Sequence, residues 1–326
     1  MQSFFDPAIL FFVFGILAGS LKSNLEIPPQ ISRFLSLYLL MALGLKGGFA
    51  LAQSGMTAEV LISLGAALGM AILVPMLGYL TLRRFLNGFD AAAIAATYGS
   101  VSAVTFITAV QYQDTHGINF GGHMAAAMAL MESPAIVMAV LLANHARQQP
   151  VASAGPGTSA TGNAPLGRIL HDAVTDGAQL LLLGAMLIGV LTGDSGQAAM
   201  KPFSVDLFKG MLAFFLLDMG LLAARNMGKL KGQSVWLPVY AIAGPLVHAG
   251  IALALGWALG MSAGNVALLM VLAASASYIA VPAVIRHAIP EANPSLYFGM
   301  SLGLTFPFNI LIGIPLYVHA AQQWLP

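Results

Sequence analysis

The chain has 326 residues, 58% hydrophobic and only 8% charged, with a formal net charge of +1 and no cysteine. A water-solvated surface needs about 25% charged residues, so a soluble globular protein is excluded, as are disulfides, thiol chemistry and cysteine-held metals. No basic cluster suits nucleic acid, and what remains is an all-α polytopic protein whose main solvent is the lipid bilayer.

In chain order, "MQSFFDPAILFFVFGILAG" has no basic stretch ahead of its apolar run, which predicts a first membrane helix over 7–21 and not a cleaved signal peptide. Further apolar runs of about 20 residues, the length that crosses a ~30 Å hydrocarbon core, lie at 31–53, 57–82, 91–111 and 119–145. Then comes "QQPVASAGPGTSATGNAPLG", 148–167, which has no apolar period and reads as a flexible linker. Five more runs follow at 173–193, 203–225, 234–260, 265–287 and 294–322. The reading is ten membrane helices, five on each side of the linker.

The basic residues sort by side. Connections after odd-numbered spans hold Lys22, Arg33, Arg83, Arg84, Arg147, Arg168, Arg225, Lys229, Lys231 and Arg286, while the opposite side holds Lys201 and Lys209. Basic residues mark the cytoplasmic side. The linker is therefore expected in the cytoplasm and both termini outside.

Two homologous halves of five spans must be oppositely oriented. Four pairs of segments repeat at nearly constant offset. Pro29 pairs with Pro202, and "LKGGFALA" (45–52) with "LDMGLLAA" (217–224); "SVSAVTF" (100–106) pairs with "SYIAVPA" (277–283), and "ESPAIV" (132–137) with "TFPFNI" (305–310). The expected organisation is an N-terminal five-helix repeat, 1–147, the linker, 148–167, and an inverted C-terminal repeat, 168–326. Inverted repeats are characteristic of secondary transporters.

Spans 4 and 9 carry "TYGSVSAVT" (97–105) and "SASYIAVPA" (275–283), each with small hydroxyl residues and a helix breaker at mid-depth. These predict two broken helices. A broken helix offers free N–H groups and a partial positive charge at its new N-terminus, which suits a small anion. The candidates are Ser100, Ser102, Ala103, Thr105, Ser275, Ser277 and Ala280. The alternative is that the hydroxyls bond back to their own helix.

Glu132 stands two residues before Pro134 in an apolar run. An acid at the bilayer centre costs about 2.5–3.5 kcal/mol, and the proline frees a carbonyl near Leu130. The pair predicts an oxygen-rich site for Na⁺ or a proton, or else a protonated carboxyl acting as structural glue. Thr305 before Pro307 is the repeat equivalent, with Asn309 nearby. Lys46 and Asp218 occupy equivalent places and are expected either to pair or to reach opposite interfaces. His123 is expected near the outer surface. No HExxH, phosphate-cradling loop, GxSxG or aspartate pair appears, so an enzyme is not expected.

At "SVSAVTF", "LMESPAIVMAVLLAN", "LAASASYIAVPAVIRHAIPEANPSLYFG" and "ILIGIPLY" the chain resembles the sodium-dependent bicarbonate transporters of the cyanobacterial SbtA type. "LGLKGGFALAQSG" and "LVHAGIALALG" (246–256) are similar too. The resemblance implies a symporter in the bacterial inner membrane, trimeric, with the broken helices on a core domain that moves against a scaffold. It implies bicarbonate between the breaks and Na⁺ nearby as coupling ion, with no other cofactor. Ser100, Ser102 and Thr105 match the first break, Ser275 and Ser277 the second, and Glu132 matches a family aspartate. The chain departs from the family at Ala103-Val104 (Gly-Ser), Tyr278 (Asp) and Thr305-Phe306 (Gly-Thr). Tyr278 joins the substrate set. The cation set is Gly99, Thr105, Glu132, Leu304 and Thr305. The short linker lends no support to a PII-like regulator. The expected function is cation-coupled import of a small anion, bicarbonate first; the alternatives are another small anion, or a membrane sensor that binds one without moving it.

Overall fold

Asp6 begins the first helix: its carboxylate accepts the Ala8 N–H at 2.8 Å, and Pro7 fills the first helical position, where no N–H is needed. The computed structural model describes residues 6–148, 177–230 and 232–325, and holds helices and no β-strand among them. The predicted linker lies, but for its first residue, outside the described residues. The helices are α1 (Pro7–Ser20), α2 (Pro29–Ser54), α3 (Ala58–Leu82), α4 (Gly88–Gly99), α5 (Ala103–Thr115), α6 (Met124–Gln148), α7 (Gly177–Lys201), α8 (Phe208–Met227), α9 (Trp236–Ala258), α10 (Ala263–Ala274), α11 (Ala280–Ala288) and the continuous run α12 (Pro294–Trp324).

These helices occupy every region expected from the sequence. Among the described residues, seven helical runs are long and apolar enough to cross a membrane by length and composition; Pro7–Ser20 and Ala263–Ala274 are shorter apolar helices. One of the seven, Gly177–Leu230, has 54 residues and takes in two expected regions. Gly193, at φ 53°, breaks it, a left-handed backbone that glycine adopts without strain. The described residues therefore form an all-helical fold whose long apolar helices suit a polytopic membrane protein.

Burial separates two kinds of helix. From Asp90 to Gly99 in α4, and from Gly264 to Ala274 in α10, every residue is buried. By contrast α3, α7 and α9 turn Leu61, Leu68, Leu187, Leu191, Val247 and Trp257 outward, as lipid-facing helices do. The short helices α4 and α10 form the centre, and their beginnings are tied down by polar side chains. Asp90 accepts the Asn293 N–H at 2.7 Å. In the same way Asn265 accepts the Gly121 N–H at 2.7 Å, and Glu59 holds Asn265 at 2.8 Å. Arg147 clasps Glu291 at 3.0 Å in the loop before α12. Partial burial of Glu291 opposes its charge, but the Arg147 hydrogen bonds outweigh this and hold its carboxyl below the usual range.

Around this centre α1 lies along α8 and α2 along α7, through glycines. A Cβ on Gly220 would stand 3.0 Å from the Cα of Gly15, and one on Gly189 would stand 3.0 Å from the Cα of Gly48. Small residues let backbones approach in lipid, where dispersion and not water drives association. Lys46 and Asp218 do not pair. Lys46 on α2 binds Asp114 at the end of α5, at 2.6 Å, while Asp218 is buried on α8. His123 is buried as well.

Gly48→Val and Gly15→Val each drive a side chain into a carbonyl of the facing helix. Each is expected to lower the thermal stability of the detergent-purified protein by about 1–3 kcal/mol, the usual penalty of overpacking. Gly65 on α3 meets open space. Gly65→Ala is expected to leave the melting temperature unchanged or to raise it slightly, as read by fluorescence-detected thermal unfolding.

Candidate functional site at two helix breaks

Both short helices stop in the same way. Ser100, after α4, is extended at φ −91° and ψ −178°; Ser275, after α10, is extended at φ −83° and ψ 167°. Gly99 is required at the first stop, because a Cβ there would lie 2.6 Å from the Pro75 ring on α3. Serine favours such ends because its hydroxyl competes for backbone groups. The chain resumes as α5 at Ala103 and as α11 at Ala280.

A break inside a membrane frees backbone groups that lipid cannot satisfy. Here the two breaks satisfy each other. The Ser102 N–H donates to Ser275 Oγ at 3.0 Å, and the Ser277 N–H donates to the Thr97 carbonyl at 2.8 Å. Ser275 Oγ in turn donates to the Leu272 carbonyl at 2.9 Å. From α12, Asn309 donates to the Ala274 carbonyl at 2.8 Å and accepts from the Tyr317 hydroxyl at 3.0 Å.

The resumed helices are capped by serine. Ser102 Oγ accepts from the Thr105 N–H at 3.2 Å and from the Thr105 hydroxyl at 2.9 Å; Ser277 Oγ accepts from the Val281 N–H at 3.3 Å. Other first-turn N–H groups, such as those of Ala103 and Val104, have no carbonyl of their own helix within reach. Ser100 Oγ is buried, and it has no hydrogen-bond partner among the described residues.

A cavity of about 260 Å³ lies against the breaks. Its polar wall is Ser102, Ser277 and Tyr278 at the breaks, Glu132 on α6, Ser36 on α2 and Gln179 on α7. Ala103 also lines it, and among the described residues no basic side chain does. Ser100, Thr105 and Ser275 are buried outside this wall, and Thr105 and Ser275 hold Ser102 in place. Of Ala280 only the backbone is described, as the first residue of α11. Tyr278 stacks edge-on against Phe306, with centroids 5.3 Å apart, and its hydroxyl lies 3.6 Å from Met219 Sδ.

Of the cation set, Glu132 alone lines this cavity. Gly99 packs on Pro75, and Leu304 is half-buried in a π-turn of α12. Thr305 Oγ1 donates to the Ala241 carbonyl at 2.6 Å and meets the Tyr98 hydroxyl at 2.5 Å. Sequence reasoning missed Ser36 and Gln179. Gln179 left a signal, a lone amide ahead of an apolar run; Ser36 left none.

Two buried broken helices thus meet over a cavity with a few polar groups and one carboxylate, in a chain whose long apolar helices suit a membrane. A family model covering residues 7–322 matches the chain, which belongs to the Na⁺-dependent bicarbonate transporter superfamily. No curated protein matches it.

Asn309→Leu leaves the buried Ala274 carbonyl and Tyr317 hydroxyl without their partner. It is expected to destabilise the protein by about 1–3 kcal/mol. Ser102→Ala removes one cap and is expected to lose about 1 kcal/mol. Thermal unfolding in detergent checks both, and Asn309→Leu should be the more damaging.

Proposed function

We propose that the chain imports a small anion, bicarbonate first, coupled to Na⁺, by alternating access. One observation carries this reading: two helix breaks in mutual contact over a cavity that holds a carboxylate and no basic side chain among the described residues. Peptide dipoles at the starts of α5 and α11 are then the attraction for an anion. Ser102, Ser277, Tyr278 and the backbones of Ala103 and Ala280 are its contacts, backed by Ser100, Thr105 and Ser275. Glu132 is the anchor for Na⁺, with Gly99, Thr105, Leu304 and Thr305 supplying neutral oxygens in another state of the cycle.

An inverted repeat of ten spans, 1–147 against 168–326 across the linker, is part of the same proposal. Contacts recur when the halves are exchanged, which supports it. Gly15 against Gly220 corresponds to Gly189 against Gly48, shifted by 174 and 172 residues. Asp90 holding Asn293 corresponds to Asn265 holding Gly121, shifted by 175 and 172 residues. Such repeats underlie alternating access.

Energetics call for the cation. Moving one charge against 100 mV costs about 2.3 kcal/mol, so an anion entering a negative interior needs at least one co-transported cation. With the basic connections inside, the cavity lined by Ser36, Ile136 and Gln179 faces the cytoplasm. A second cavity of about 270 Å³, lined by Lys46, Gln53, Asp114 and Asn119, faces outward. The Lys46–Asp114 pair joins α2 to α5 there and is the outer closure.

Proteoliposome uptake tests these roles. Glu132→Gln is expected to weaken the Na⁺ dependence of bicarbonate uptake at least about ten-fold, as fits loss of a charged contact. Unchanged uptake at every Na⁺ concentration and pH would remove Glu132 from coupling. Lys46→Gln and Asp114→Asn are expected to change maximal rate several-fold with little change in KM. The exchanged pair Lys46→Asp with Asp114→Lys is expected to recover part of the loss.

A further inference from the structure

The Lys46–Asp114 ion pair has an image in the other half that is charged but unmade. Lys46 stands two residues before Gly48 and Asp218 two before Gly220, glycines at equivalent points of the α2–α7 and α8–α1 contacts. Asp114 stands seven residues before Gly121 and Arg286 seven before Asn293, whose N–H groups Asn265 and Asp90 grip. Both members of the pair therefore map onto the other half by the same shift of 172 residues, and the image is again an acid and a base, with the signs exchanged. Only 8% of the residues are charged, so chance is a poor source of such a match.

The two pairs differ in state. Lys46 and Asp114 are in contact at 2.6 Å, whereas among the described residues neither Asp218 nor Arg286 has an ion-pair partner. Asp218 is buried, and its Oδ2 has no hydrogen-bond partner among the described residues; its neighbours are Ser32 on α2 and, at longer range, Arg225 on its own helix. A buried carboxylate with an open oxygen is unfavourable, unless another state of the molecule supplies the partner. Its charge reaches the Tyr278 hydroxyl, so Asp218 lies beside the break from which α11, the helix of Arg286, departs. Arg286 itself is exposed and rests over the Phe298 ring at 5.4 Å, a ring that it shares with Lys229 at 5.6 Å. A cation–π contact at an exposed site is weak and readily given up.

We propose that Asp218 and Arg286 form the inner closure, the ion pair that seals the cytoplasmic side when the site at the breaks faces outward, as Lys46–Asp114 seals the outer side in this structure. The inference rests on the reading of the chain as an alternating-access transporter built of two inverted halves. In such a protein the opposite-facing state is reached when the halves exchange conformations. The contact that joins α2 to α5 then becomes a contact of α8 with α11. Arg225 cannot take this role, because it shares α8 with Asp218 and ties it to no other helix.

The chain has no cysteine, so introduced pairs report directly. Asp218→Cys with Arg286→Cys, and Lys46→Cys with Asp114→Cys as the reference, are treated with Hg²⁺ in proteoliposomes, and crosslinking is read as protection from a maleimide. Both pairs are expected to crosslink, single-cysteine variants are not, and either crosslink is expected to abolish the remaining Na⁺-dependent bicarbonate uptake until a thiol reverses it. Conditions of Na⁺ and bicarbonate that speed one crosslink are expected to slow the other. Arg286 is exposed, so Arg286→Gln is expected to keep its melting temperature while maximal uptake falls several-fold with little change in KM. An Asp218–Arg286 pair that never crosslinks while the reference does, two crosslinks that rise together, or unchanged uptake by Arg286→Gln would each overturn the inference and leave Na⁺-coupled import standing. Absence of Na⁺-dependent uptake by the unaltered chain would overturn the transport reading and this inference together.

Discussion

A helix broken inside a bilayer leaves backbone donors and acceptors with no water to receive them, and the whole molecule is arranged around meeting that demand. Two breaks placed side by side solve it jointly. The backbone of one serves the other, through Ser102 to Ser275 and Ser277 to Thr97, and Asn309 closes the carbonyl at Ala274. Neither break is satisfied alone. Each freed group left unpaired in lipid costs several kcal/mol, so the chain cannot keep one break and lose the other. The same economy leaves a small number of N–H groups at the starts of α5 and α11 for a solute.

Mutual satisfaction of the breaks demands close positioning, and the small residues provide it. Gly99 lets the end of α4 press on Pro75, so the first break is held from the side as well as across the pair. Asp90 and Asn265 then fix the far ends of α4 and α10 by gripping loop N–H groups. Around that centre, the glycine contacts of α1 with α8 and α2 with α7 bring backbones together without interlocking large side chains. The cavity lies between these two parts: Ser36 and Leu40 come from α2, Ala178, Gln179 and Leu182 from α7, and the rest from the breaks, α5, α6 and α11.

Much of this was legible in the sequence, for a physical reason. Length and apolarity are one-dimensional properties, so every helical region could be found, and serines with glycine or proline at mid-depth located both breaks to within a few residues. The Asp6-Pro7 start is likewise a local signal. What failed to show was partner choice. Lys46 and Asp218 share a repeat position, which suggests either pairing or reach to opposite interfaces, yet the carboxylate Lys46 binds is Asp114 at the end of α5. Thr305, the repeat equivalent of Glu132, has its hydroxyl between Tyr98 and Ala241 and not in the wall of the same cavity. Ser36 could not have been found, because one serine among leucines on α2 carries no period that marks it. Repeat position identifies equivalent places in two halves; it does not say which of them meet.

Glu132 shapes the proposed chemistry most. A carboxylate and an anionic solute in one cavity repel, and at about 4 Å with an effective dielectric of about 20 the repulsion is ~4 kcal/mol. Among the described residues no basic side chain lines the wall to offset it. A cation held by Glu132 turns that repulsion into attraction, so each solute raises the affinity for the other by the same factor. On the proposed reading, an anion arriving without the cation would find the pull of the helix dipoles opposed by Glu132, which would suppress uncoupled movement of either ion. A lysine in the wall would bind the anion unaided and remove the need for Na⁺. The lack of a basic side chain in the described wall is therefore what makes coupling obligatory on this reading, and the acid beside a proline on α6 is its instrument.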